Sequence, residues 1–248
     1  MSADSAPLGP TPNEQTPTLA RQVGGRYSGR RGGAGQPRLV LLGQLIAIGL
    51  VAAAGAGLIA FGQDRGPLPP QAAAVAAPLD SPAQVQRARA HALSRSRPVR
   101  VDIPRLDVHA DVVKVGVTPR GSLEAPPLDR AMSVGWYRLG PTPGEPGAAV
   151  VLGHVDAESV GPAVFYRLGE LEPGDMLSVT RADGSHAIFT VTGGASYPKD
   201  QLPYGRIFAD LDYPVLRLVT CGGRFDERKR TWENNLVVYA VLTDSHAG

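Results

Sequence analysis

Cysteine is nearly missing from this chain. Cys221 is the one thiol in 248 residues, so no internal disulfide can form and the thiol needs another explanation. Aromatic residues are only 6% of the chain and are not clustered, which argues against a stacking surface for carbohydrate or single-stranded nucleic acid. A formal net charge of +2 gives no overall basic surplus, so no nucleic-acid partner is expected. There is no phosphate-cradling glycine loop, no dinucleotide fingerprint and no His/Cys/acid cluster at zinc spacing. No cofactor and no obligatory metal are therefore expected, and calcium at a loop is the one ion left open.

What is present divides the chain by composition. Residues 1–38 are rich in Gly, Pro, Ser, Thr and Arg and hold almost no apolar run. Such a segment cannot offset its ordering entropy, so a disordered segment is expected there. Residues 39–62 read LVLLGQLIAIGLVAAAGAGLIAFG, uncharged and with Gln44 as the one polar side chain. At about 1.5 Å per residue such a stretch spans a hydrocarbon core of roughly 30 Å. Arg21, Arg26, Arg30, Arg31 and Arg38 lie before it, which predicts a single-pass transmembrane helix with a cytoplasmic N-terminus. A cleaved leader is the competing reading, since Ala73–Ala77 offers small residues to a signal peptidase. Residues 63–96 form an extracytoplasmic linker, Pro/Ala-rich at first. Ser81-Pro82 then looks like an N-cap and first helical residue, opening a short helix to about Arg95 that belongs to a solvated stalk.

Residues 97–245 carry a different texture. Short runs rich in Val, Ile, Leu and Thr recur between Gly, Pro and Asp: 99–104, 112–117, 148–154, 176–180, 187–192, 216–221 and 235–242. Ala182-Asp183-Gly184 is a hairpin signal between two of them. No helix-period stretch competes, so one all-β domain, a barrel or sandwich with short helical turns, is expected.

Two polar residues end such runs. Cys221 closes LRLVTC and is followed by Gly222-Gly223, an arrangement that presents a thiol at a strand end and lets backbone N–H groups approach a reacting carbonyl. A nucleophilic thiol needs a basic neighbour that favours thiolate and serves the leaving amine. Of the histidines, His91 lies in the stalk, His246 in the tail, and His109 and His186 in polar connectors. His154 ends AAVVLGH just as Cys221 ends its own run. Two strands ending at one barrel mouth bring the two together across 221 − 154 = 67 positions. Asp156 shares the parity of His154 and is either its orienting acid or a solvated loop residue.

The segments GWYRLGPTPGEPGAAVVLGHVD (135–156), LGELEPGDMLSV (168–179), YPKD (197–200), LRLVTCGGRFD (216–226) and NNLVVYA (234–240) together resemble a class F sortase of actinobacteria. The resemblance implies an eight-stranded sortase-type β-barrel preceded by a single transmembrane helix. It implies cleavage of an LPXTG-like sorting signal through a thioacyl enzyme, and transfer to an amine such as that of a peptidoglycan precursor. Cys221 is then the nucleophile and His154 the acid/base. Most sortases place an arginine on the strand after the cysteine strand, but here that position is Asn235 and no arginine follows residue 230. Arg217, four residues before Cys221 and on the same face, is the expected substitute, for a substrate carbonyl or the oxyanion. Arg230 is the runner-up. Val219 and Gly222 are expected to line the substrate site. Two rivals are a membrane-anchored β module that only binds, and an L,D-transpeptidase, whose S-H-G-C motif is absent.

Overall fold

The computed structural model describes residues 68–71, 80–119, 122–158 and 160–248, all within the compact unit Ile59–Gly248. The expected segment 1–38 and transmembrane stretch 39–62 lie outside the described residues. Among the described residues no helix is long and apolar enough to cross a membrane.

The first element is α1, Pro82–Ala90. It starts where expected because Ser81 makes a capping box: its Oγ accepts from the Gln84 N–H, while Gln84 Oε1 accepts from the Ser81 N–H. It stops five residues short of Arg95. Nor is it a free stalk. Ala88 is fully buried in the main core, and Arg89 reaches Asp212 at 2.7 Å. A helix with no apolar stripe docks here through one small side chain.

Eight strands then close a barrel. They are β1 (Pro98–Ile103), β2 (Val108–Val115), β3 (Val134–Tyr137), β4 (Gly147–Leu152), β7 (Met176–Arg181), β8 (His186–Pro198), β9 (Pro214–Asp226) and β10 (Thr231–His246). Between β4 and β7 a two-residue hairpin pairs β5 (Asp156–Ala157) with β6 (Gly161–Pro162). The barrel order is β1-β2-β3-β4-β9-β10-β8-β7. β2–β3 and β4–β9 are parallel pairs, and the other neighbours run antiparallel. The β7–β8 turn is the Ala182-Asp183-Gly184 segment, where Gly184 takes φ 83°, a conformation that favours glycine.

Alternation along the strands builds two apolar layers. Leu216 and Leu218 of β9, Leu236, Val238 and Ala240 of β10, and Val151 of β4 face the barrel interior with Phe189, Leu177 and Val101. The intervening residues Val150, Val219, Val237 and Tyr239 face outward. There they pack with Ile207, Leu202 and Phe208 from the β8–β9 connection, which contains α2 (Tyr204–Ile207). That second, outer layer carries the site.

Candidate active site

β4 and β9 run parallel with a constant offset, from Gly147 beside Pro214 to Leu152 beside Val219, or 219 − 152 = 67 residues. His154 and Cys221 are separated by the same 67 positions. β4 ends at Leu152, but two bonds carry its register further. The Gly153 N–H donates to the Val219 carbonyl at 3.0 Å, and the buried Thr220 hydroxyl donates to the Gly153 carbonyl at 2.8 Å. Extended two residues past its last pair, the same register would align position 154 with Cys221, which lies on the outer face that also bears Val150, Arg217 and Val219. On the far side of β9, β10 places Asn235 opposite Cys221 and Tyr239 opposite Arg217.

The setting differs from two strand tips at a barrel mouth. Cys221 lies inside β9, which continues to Asp226, and its side chain is on the barrel wall. The Gly222-Gly223 pair reads as a break in the sequence, yet the chain passes through it as strand. Gly223 takes φ 82°, and a Cβ there would meet Asn234 Cγ at 2.9 Å. The strand needs this glycine.

His154 is held from two sides. A Cβ on Gly153 would lie 2.4 Å from Phe165 Cδ2, and the Phe165 N–H donates to the His154 carbonyl at 2.9 Å. The half-buried ring places Nε2 at 2.7 Å from the Pro126 carbonyl. A carbonyl can only accept, so Nε2 carries a proton and Nδ1 is the nitrogen left for chemistry. Asp156 Oδ1 accepts from Trp232 Nε1 at 3.0 Å.

Cys221 is a free, half-buried thiol. Burial pushes its pKa above the ordinary cysteine value. The Lys199 ammonium works against that through its charge and a side-chain hydrogen bond, and the Asp156 carboxylate adds to the rise. Lys199 sits in a 3₁₀ turn just after β8, and its Nζ also donates to Thr231 Oγ1 at 2.7 Å.

The structure places the remaining expected residues as follows. Arg217 is buried on the outer face, four residues and about 13 Å of strand from Cys221. Its guanidinium lies 4.7 Å over the Tyr239 ring and donates to the Leu216 carbonyl at 3.1 Å. Its Nε is buried without a partner. Burial lowers the Arg217 pKa, and the charges that favour its cation come from Asp80 and nearby tyrosines rather than Cys221. Arg230, exposed and at φ 50°, pairs with Glu158 at 2.6 Å. Val219 is part of the outer apolar layer. Gly222 is buried beside Leu236, and the next N–H, that of Gly223, donates to Gln71 Oε1 at 3.1 Å. The other histidines have ordinary surroundings: His91 faces Asp244, His109 contacts Asp102, and His186 stacks on His246. No group of three or more His, Cys, Asp or Glu suited to a metal occurs among the described residues.

Lys199 and the Pro126 carbonyl were not singled out from the sequence. Lys199 stands in the YPKD segment that contributes to the family resemblance, and that was its one visible signal.

The chain was compared with known proteins. A protein-family model described as Sortase domain matches residues 101–243. No curated protein matches. Among solved structures, Listeria monocytogenes sortase A is 16% identical, with 61% of this chain and 90% of that chain covered and a TM-score of 0.47. The SrtA sortase from Actinomyces oris is 18% identical over 75% of this chain and 89% of that one, also at 0.47. A Clostridium perfringens sortase D5 transpeptidase is 19% identical over 66% and 89%, at 0.44. With the family model covering more than half of its length, from β1 nearly to the end of β10, the chain belongs to the sortase family and is a cysteine transpeptidase.

Proposed function

We propose that this chain is a membrane-tethered sortase of class F. It cleaves an LPXTG-like sorting signal between threonine and glycine and passes the acyl group to a cell-wall amine, such as that of a peptidoglycan precursor. The five segments from 135–156 to 234–240 support the class. The arginine-flanked apolar run 39–62 supports an anchor that leaves the catalytic domain outside the membrane.

The single observation that supports the mechanism is the β4–β9 register, observed as far as Leu152 beside Val219, whose continuation by two residues aligns position 154 with position 221. In the first half-reaction the Cys221 thiolate attacks the threonine carbonyl carbon. The C–S bond forms, the C–N bond to glycine breaks, and His154, protonated on both nitrogens, gives its Nδ1 proton to the departing amine. Its Nε2–H stays on the Pro126 carbonyl, which fixes the ring throughout. In the second half-reaction an incoming amine loses a proton to Nδ1 and displaces the sulfur. Val219 and the surrounding outer layer provide an apolar bed for the signal's leucine and proline. The Gly222 N–H, next after Cys221, is the backbone donor to the oxyanion. Arg217, with its unpartnered Nε, holds a substrate backbone carbonyl farther along the same face.

The test is turnover of an LPXTG-type peptide with an amine acceptor by the soluble domain. Cys221→Ala is expected to abolish product, and His154→Ala to reduce kcat by about 10²–10⁴-fold. Undiminished cleavage by Cys221→Ala overturns the reading.

A further inference from the structure

An anion forms twice in this mechanism, first on sulfur and then on the carbonyl oxygen beside it, and a cation other than the His154 imidazolium, which is spent on the leaving amine, would favour both. The two arginines that the sequence offers are engaged elsewhere. Arg217 rests on Tyr239 about 13 Å of strand away, and Arg230 is paired with Glu158.

The strand registers deliver a different cation. Cys221 pairs with Asn235, and Asn235 pairs on its other side with Tyr197 of β8. Residues 221, 235 and 197 therefore form one row across three strands. Lys199 follows Tyr197 by two residues, at the point where β8 gives way to a 3₁₀ turn. From there its side chain turns back over β10, where Nζ donates to Thr231 Oγ1 at 2.7 Å. Thr231 begins β10, opposite Asp226 at the end of β9. The ammonium is thus held beside the start of β10, on the strand that borders β9, and its positive charge favours the Cys221 thiolate.

We propose that Lys199 is a catalytic residue of this sortase: its ammonium, steadied by Thr231, stabilises the Cys221 thiolate and then the adjoining tetrahedral oxyanion, the part played by an arginine in most of the family. A lysine suits the place because an ammonium presents three donors about a compact charge. One can stay on Thr231 while another follows the negative charge from sulfur to oxygen. Lys199 itself is exposed, so its removal leaves the core untouched. The inference rests on Cys221 being the nucleophile.

The experiment measures alkylation of Cys221 by iodoacetamide between pH 6 and 10, which requires no peptide substrate, alongside peptide turnover. Lys199→Met is expected to slow alkylation near neutral pH by about tenfold and to move the midpoint of the profile upward. It also lowers kcat much more than it raises KM. Lys199→Arg restores most of both, and Thr231→Val produces a smaller shift in the same direction. An alkylation profile for Lys199→Met that superimposes on the wild type overturns the proposal. So does a Lys199→Arg variant no better than Lys199→Met. If the wild type alkylates as expected but turns over no peptide, the substrate assignment fails while the alkylation arm still decides the role of Lys199.

Discussion

The charges around Cys221 pull in opposite directions, and each can be altered separately. Asp156 raises the thiol's pKa, while its Oδ1 accepts a bond from Trp232. Asp156→Asn keeps an acceptor for the indole and removes the negative charge. Cys221 should then ionise at lower pH, and the alkylation profile should move toward neutrality, opposite in sign to Lys199→Met. A shift upward would mean that the carboxylate acts through packing rather than charge. At this scale the sequence shows only part of the site. Cys221 and His154 stand out because each ends an apolar run beside glycine. The bond of Lys199 to Thr231, and the reach of its charge to Cys221, cannot be seen there, because both exist only once β8, β9 and β10 are aligned.

At the scale of the element, the proposed catalytic spacing depends on the parallel β4–β9 pair, which the Thr220 hydroxyl extends to Gly153. The Thr220 side chain points to the Gly153 carbonyl at 2.8 Å. Thr220→Val keeps the shape, removes the donor and leaves a buried carbonyl without that bond. A loss of about 1–3 kcal/mol of stability is expected, seen as a lower Tm, together with a fall in kcat as His154 loosens. Unchanged Tm and kcat would show that the register is fixed elsewhere. The strand pattern itself was largely legible. Seven runs rich in β-branched residues correspond to β1, β2, β4, β7, β8, β9 and β10. β3 was not among them, because Val134-Gly135-Trp136-Tyr137 is short and interrupted by glycine. β8 and β9 run further than their apolar runs indicate, since Gly193-Gly194 and Gly222-Gly223 look like breaks but are absorbed into the sheet. α1 lacks an apolar stripe, so nothing in its pattern foretold that Ala88 would be buried against the barrel.

Across the whole molecule, stability should depend on acid in a definite direction. Asp102 is held below its ordinary value of 3.8: burial opposes this, but bonds from His109 and Arg100 outweigh it. Glu170 is lowered from 4.5 chiefly by its hydrogen bond from Arg167. Asp183 and Asp226 are lowered by bonds from Ser185 and from the Lys229 backbone N–H. Groups depressed in the folded state contribute stability above their unfolded pKa and lose it as pH falls through the folded one. The Tm should therefore be insensitive to these carboxylates above about pH 5 and decline below about pH 4. A Tm that holds steady to pH 2.5 would contradict the shifts. The eight-stranded closure and the family match over residues 101–243 fit a single domain from β1 to β10. Which strands lie next to one another was not legible, because β4 and β9 are distant in sequence and meet only when the barrel closes.

The most direct test of the central claim, that Cys221 forms the acyl bond with His154 beside it, is intact-protein mass spectrometry of the soluble domain. The protein is mixed with an LPXTG-type peptide in the absence of an added amine and quenched in acid. The account predicts an adduct equal to the acyl fragment ending at threonine, mapped to Cys221, absent from Cys221→Ala and strongly reduced in His154→Ala. Product release with no adduct, or an adduct mapped to any other residue, would contradict it.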